Sequence, residues 1–450
     1  DVSAQVRWLG AATRVIERHG AKLRLSVDWR PLKDLVRTYL DGNATGYNGA
    51  VPLAVHQSVA TRCAHKARRF FSSDAPREIW EYCRPLLRSL DSSDCFEGVA
   101  LFHLLMPCMR VAEEDAKHPW REWCEEWMEM AGWQPSSRFW LAAFHAVFAQ
   151  LAKHDVHDRI DWAKHLARLS TTTLWFTEIP VGGGEGGCPF GRRTPSRTAY
   201  VFNRTVNDAD ARMKYAMKAL CHRLGRVPTG TGTGTGTGGG AEGGAVADPA
   251  MDVVDAIVDL VENYAHPSNN GRYTSVIALF LKDGVKYFRK RVASKKLKAF
   301  PLSDAIKTRF AVAMTRIIDK GMYSKNSTMR YVSSSAAGTL AYLAPSVVLP
   351  LVTSRFGEAI SHHTATHQLA AALSALTSCV RPMLLVASSE GDDGQDASVI
   401  IDGGVSATEY LAVTLNETLP GIDANDPSKT LGTIKLYASV VSNLGVLTDF

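Results

Sequence analysis

His154 and His157, three residues apart, sit with Asp155 and Asp158 in the run HDVHD. Two histidines at that spacing can share a helix face and ligate a metal. No third ligand stands nearby, and the run reads as the polar end of a helix before Ile160-Asp161-Trp162. His363 and His367 have the spacing of a zincin pair, but Thr-Ala-Thr lies between them. The glutamate that such a site needs as its base is missing. The glycine run GGGEGG at 182–187 has neither the lysine nor the Ser/Thr of a phosphate loop. No Gly-x-Ser-x-Gly elbow occurs, and the eight cysteines form no Cys-x-x-Cys pair. Most of the cysteines have apolar neighbours, which points to reduced, buried thiols in a nuclear or cytoplasmic protein. The sequence therefore assigns no catalytic, cofactor-binding or metal residue.

The densest chemistry is basic. Residues 282–298, KDGVKYFRKRVASKKLK, carry eight lysines and arginines against the single acid Asp283. Such density attracts polyanions (nucleic acid or inositol phosphates) or an acidic protein face; the alternative is a solvated helix face or a nuclear-import-like patch. Lys290, Arg291, Lys295 and Lys296 are the candidate contacts. The net charge of the whole chain is only +6 over 450 residues, so direct nucleic-acid binding is not expected.

The elements that must position these residues are helices. Phe139, Trp140, Phe144, Val147, Phe148 and Leu151 recur at helical spacing. Val254, Ile257, Val258 and Val261 form a second stripe, and Leu369, Ala372, Leu373, Leu376 and Val380 a third. Asp248-Pro249 has the form of a helix start, an acid at the cap and proline in the first turn. Strand signals are weak; the best, SVIID at 398–402, is flanked by Gly and Asp. Residues 333–344 and 346–360 read as two helices parted by Pro345, the unit of HEAT-like repeats. The fold class expected is all-α, an α-solenoid of degenerate HEAT-like helix pairs.

Hydrophobic residues make up 46% and charged residues 21%, which supports a large core and excludes broad disorder. No uninterrupted apolar run reaches the roughly 18 residues of a membrane span. The start, Asp1-Val2-Ser3, lacks a signal-peptide pattern. With no initiator methionine and no helix-ending signal at Leu444–Phe450, the chain reads as an internal piece of a longer protein. The run PTGTGTGTGTGGGAEGGA at 228–245 is too glycine-rich to order cheaply and reads as a flexible surface insertion. The expected organisation is a helical region at 1–225, the insertion at 226–248 and a second helical region at 249–450.

Several stretches resemble one family. YAHPSNNGRYT at 264–274, LPGIDANDPSKT at 419–430 and VDWRPLKDLV at 27–36 carry the resemblance, with weaker echoes in RIDW at 159–162 and THQLAAALSAL at 366–376. The chain resembles the proteasome activator complex subunit 4 family, giant HEAT-repeat activators whose yeast relative is a bleomycin-sensitivity protein, in their middle region. The matched residues read as repeat corners. Pro267 stops one helix, Asn269, Asn270 and Gly271 tolerate the turn, and Arg272 and Tyr273 open the next helix. Pro420-Gly421 and Asp426-Pro427 punctuate another corner.

What the resemblance implies is a non-catalytic part of a hollow helical cap on the proteasome core particle. The family contacts the α-ring, loosens the entry gate without ATP or ubiquitin, and favours peptides, unfolded proteins and acetylated histones. Its gate-opening tail and acetyl-lysine-reading region lie outside this stretch. The resemblance also implies nuclear and cytoplasmic localisation and links to DNA repair. It requires no cofactor, but inositol phosphates bind the family at basic openings, which would give Lys290, Arg291, Lys295 and Lys296 a ligand. No membrane partner is implied. The reading from another class is a generic HEAT-repeat scaffold or transport adaptor.

Overall fold

The computed structural model describes residues 2–40, 53–89, 91–106, 125–127, 141–154, 160–166, 208–226, 248–269, 272–294, 297, 300–361, 366–389, 406–423 and 425–444. Among these the secondary structure is helical and contains no strand. The glycine-rich runs at 182–187 and 228–245, the SVIID stretch and most of the HDVHD run lie outside the described residues. The chain divides into two compact units. One comprises Asp1–Phe176, Pro180–Arg223 and Pro228–Gly232, and the other Thr177–Ile179, Leu224–Val227 and Thr233–Phe450.

The first unit contains α1 (Val2–His19), α2 (Arg30–Leu40), α3 (Leu53–Ala67), α4 (Ala75–Leu87), α5 (Ser92–Leu105), α6 (Leu141–His154) and α7 (Asp208–Arg223). Its core is aromatic. Phe102 stacks on Trp127 at 4.0 Å and meets Trp80 edge-on at 5.6 Å. Trp29 is buried, and its indole N–H donates to Glu78 across 2.8 Å, which ties the WRPL corner to α4. Arg68 is buried and donates to the carbonyls of His103 and Met106 and to the Gln150 amide oxygen. Burial, and then the Arg68 charge, push the His103 imidazole down to about 3, and the same two causes hold His65 well below its usual range.

The second unit contains α8 (Pro249–Val261), α9 (Arg272–Val292), α10 (Asp304–Gly321), α11 (Ser327–Ala341), α12 (Pro345–Ser361), α13 (Thr366–Ser389), α14 (Ala407–Thr418) and α15 (Pro427–Asn443). Its packing alternates along the chain. α8 packs on α10 and α10 on α12, while α9 packs on α11, α11 on α13 and α13 on α15. Successive helices thus alternate between two layers, the arrangement of a helical-pair solenoid. The stripes expected from the sequence face the core: Val254, Ile257, Val258 and Val261 on α8, and Ala372, Leu373, Leu376 and Val380 on α13.

The corners follow from local chemistry. Asp248 accepts from the backbone N–H groups of Ala250 and Met251, capping α8 with Pro249 in its first turn. Its second oxygen accepts from Gly225 N–H at 2.6 Å. Gly225 has φ +77°, a left-handed conformation that a Cβ would strain, and that Cβ would also meet Leu302 Cδ2 at 2.8 Å. In the HPSNNGR corner, the Asn269 amide donates to the Tyr264 carbonyl at 3.1 Å, and Pro267 accepts from Lys325 N–H. The corner therefore joins α8 to α9 and is bonded to the turn between α10 and α11. Asp426 caps α15 by accepting from Lys429 N–H, with Pro427 in the first turn.

By length and composition alone, His367–Val386 of α13 is long and apolar enough to cross a membrane. The unbroken-run criterion misses it because serines and threonines interrupt the apolar residues. Its apolarity is explained by packing against α11, α12, α14 and α15, with Leu373, Leu376, Cys379 and Met383 buried.

Candidate functional site

Helical phase sorts the basic run of α9 into two sets. Lys282, Lys286, Arg289 and Lys290 are exposed, whereas the residues between them, from Asp283 to Phe288, are otherwise buried. The spacings of four and three residues put Lys282, Lys286 and Arg289 in one row along the helix. None of these four cations has a carboxylate partner among the described residues. Lys286 and Lys290 lie 5.7 and 5.5 Å from the Tyr287 ring, where the cation meets the aromatic face.

Arg291 departs from the expectation of a surface contact. It is 2% exposed, and its guanidinium donates to the Leu224 carbonyl at 3.0 Å and the Phe300 carbonyl at 2.6 Å. Three residues beyond Phe288, it falls on the buried stripe of α9, and the Gly225 turn brings Leu224 to it. Arg291 is therefore a structural clamp. Lys290 is exposed as expected, and Lys295 and Lys296 lie outside the described residues.

The exposed row of α9 borders a cleft with α11 and α13. A cavity of about 410 Å³ is lined by Arg289, Tyr331, Ser335, Tyr342, Ser374 and Ser378, among others. An adjoining one of about 230 Å³ reaches Lys282 and Lys286 and shares Arg289, Tyr331, Ser335 and Thr339. α11 and α13 approach closely here because position 338 is glycine: a Cβ there would meet the Ser378 carbonyl at 2.5 Å. Across α9, α11, α13 and α15 the only acid is Asp283, which is buried.

The other layer is the electrostatic opposite. Arg309 of α10 bridges Asp252 and Asp255 of α8, and Arg316 bridges Asp259 and Glu262. Lys320 also meets Glu262, and Arg355 of α12 returns a paired contact to Asp319 of α10. The Lys320 hydrogen bond, backed by Arg316, holds Glu262 below the usual carboxylate range, while burial lifts Asp255 despite Arg309. This ladder fixes the register of α8, α10 and α12.

Among the described residues, no group of three or more His, Cys, Asp or Glu could hold a metal ion. His367 is exposed, and His362 and His363 lie outside the described residues. Cys63, Cys83, Cys95, Cys221 and Cys379 are buried, and none forms a disulfide among the described residues. Burial raises the Cys379 thiol to about 12, which disfavours the nucleophilic thiolate. The arrangement is suited to binding through charge and shape.

Residues 254–447 match the family described as proteasome activator complex subunit 4, mid HEAT repeats region. The chain is 31% identical over 452 residues to proteasome activator subunit 4 of Arabidopsis thaliana, covering 99% of this chain and 23% of that protein. It is 23% identical over 440 residues to proteasome activator complex subunit 4 of Homo sapiens, covering 94% of this chain and 21% of that protein. Proteasome activator complex subunit 4B of Danio rerio is 23% identical over 430 residues, covering 92% and 20%. The chain thus spans less than a quarter of the length of these curated relatives.

Proposed function

We propose, from the match of residues 254–447 to the mid HEAT repeats region of the proteasome activator complex subunit 4 family, that this chain forms part of a non-catalytic cap on the proteasome core particle. The observation that carries the proposal is the near-complete coverage of this chain by relatives named for proteasome activation. The two-layer helical packing of the second unit supports it, because stacked helix pairs supply a rigid extended wall.

The mechanism is binding. An activator that holds the open-gate state of the core particle more tightly than the closed state shifts the population towards open. Contact with the α-ring, independence of ATP and ubiquitin, and a preference for peptides, unfolded proteins and acetylated histones are parts of this proposal. So are nuclear and cytoplasmic localisation and a link to DNA repair. Gate opening and acetyl-lysine reading are assigned to other regions. An inositol phosphate at the basic end of α9 would now rest on Lys290, Lys295 and Lys296 without Arg291.

The test is co-purification of core particles with the full-length protein carrying this chain, followed by hydrolysis of a fluorogenic peptide without ATP. Association with stimulated hydrolysis is expected. Neither association nor stimulation would overturn the proposal and favour a generic HEAT-repeat scaffold.

A further inference from the structure

We propose that the cleft formed by α9, α11 and α13 binds an acidic peptide segment of a partner polypeptide. Its carboxylates would lie against Lys282, Lys286 and Arg289, and its apolar side chains against Tyr331 and Tyr342. The proposal goes beyond the proteasome reading and does not depend on it.

Charge complementarity comes first. Between α8, α10 and α12, each of the cations Arg309, Arg316, Lys320 and Arg355 is met by an acid. The α9 row has no acid within reach among the described residues, and α11 and α13 contribute none from their sequences. Repulsion within the row is an uncompensated cost that an acidic ligand would relieve.

Geometry selects an extended chain over a compact polyphosphate. Lys282 to Arg289 spans about 10 Å at a helical rise of about 1.5 Å per residue. An extended peptide advances about 3.3 Å per residue, so alternate side chains can meet successive cations of the row. A compact polyphosphate is held best where cations converge around one point. Two of the three cations are lysines, compact point charges on flexible stems that can each follow a single carboxylate.

The lining of the cleft fits peptide chemistry. Tyr331 is 73% exposed and Tyr342 49%, so each presents apolar ring surface to solvent. Both border the larger cavity. Exposed tyrosines with a polar tip are common anchors at protein interfaces. The Ser335 and Ser374 hydroxyls line the same cavity and have no partner among the described residues. They can donate to peptide carbonyls or accept from peptide N–H groups.

The test is fluorescence polarisation of the 450-residue chain with a labelled peptide of alternating glutamate and leucine. The matched probe carries glutamine for glutamate, and unlabelled inositol hexakisphosphate and single-stranded DNA serve as competitors. The acidic peptide should bind, and the glutamine version should bind at least about tenfold more weakly, the cost of removing close charge pairs. Lys286→Glu with Arg289→Glu should produce a comparable loss, and Tyr331→Ala a loss of about three- to tenfold. Lys307→Glu, on the other layer, should change nothing. Circular dichroism and thermal melting of each variant separate loss of binding from loss of fold. Equal binding of the two peptides, absence of binding, or retention of affinity in the folded double variant would overturn the proposal. So would tighter binding of inositol hexakisphosphate or DNA to the same residues.

Discussion

Two layers of the second unit treat positive charge in opposite ways. On α8, α10 and α12, Arg309, Arg316, Lys320 and Arg355 are each met by a carboxylate from the neighbouring helix. On α9, Lys282, Lys286 and Arg289 are met by none among the described residues, and the helices beside them are free of acid. The cations of the first layer hold helices in register, so they belong to the fold. Those of the second are exposed and unneutralised, so they are left for something outside it. Arg291, two residues from Arg289, shows how sharply helical phase divides these roles.

The largest effect should come from the cation that has crossed from one role to the other. Arg291→Met removes the donor to the Leu224 and Phe300 carbonyls, and is expected to cost about 2–4 kcal/mol in chemical denaturation through unpaired buried acceptors. A cost near zero would return Arg291 to the surface row. Gly338→Ala comes next. The added methyl meets the Ser378 carbonyl, so α11 and α13 must part, at about 1–3 kcal/mol as for other overpacked contacts. It should also alter the cleft, read as weaker binding of the acidic peptide.

The ladder should give smaller, salt-sensitive losses. Arg309→Ala is expected to cost about 0.5–1 kcal/mol, since its pairs are partly exposed and solvent-screened. Single substitutions to alanine at Lys282, Lys286 or Arg289 should change stability by no more than about 0.5 kcal/mol. A larger loss there would mean that the row is structural after all.

Acid sharpens the contrast between the ladder and the first unit. Glu262 is held below its ordinary 4.5, so its contribution is present above that pH and is lost as pH falls through the lowered value. His103 is a base pushed down to about 3 by burial and Arg68. It stays neutral in the fold while the unfolded chain takes up a proton, so stability falls as pH drops from about 6.5 towards 3, by up to about 1.4 kcal/mol per unit. Acidification from pH 7 to 5 should therefore loosen the first unit before the ladder, as read by hydrogen exchange. Earlier exchange in α8 and α10 would contradict the assignment.

Much of this was legible in the sequence. The helical stripes of α8 and α13, the Asp248-Pro249 and Asp426-Pro427 caps and the HPSNNGR corner are local features, and local hydrogen bonds realise them. Reading residues 282–298 as a density of charge concealed the site. Helical phase would have separated Arg291 from Arg289, because Leu281, Phe288 and Arg291 share the buried stripe. The missing acids of α11 and α13 were also visible, but their meaning depends on α9 packing against α11. That is a long-range contact that no local spacing encodes. One partner of Arg291, Leu224, likewise lies 67 residues away, while the other, Phe300, is nine residues on.

The most direct measurement is the thermal midpoint of two charge-reversed triple variants. Arg309→Glu, Arg316→Glu and Arg355→Glu together place new carboxylates beside those of the ladder. The midpoint should fall by roughly 10 °C, taking about 2–4 °C per kcal/mol for a unit of this size. Lys282→Glu, Lys286→Glu and Arg289→Glu together should leave the midpoint within about 2 °C, because no internal partner is lost. Equal falls in the two variants would contradict the division between cations that build the fold and cations reserved for a partner.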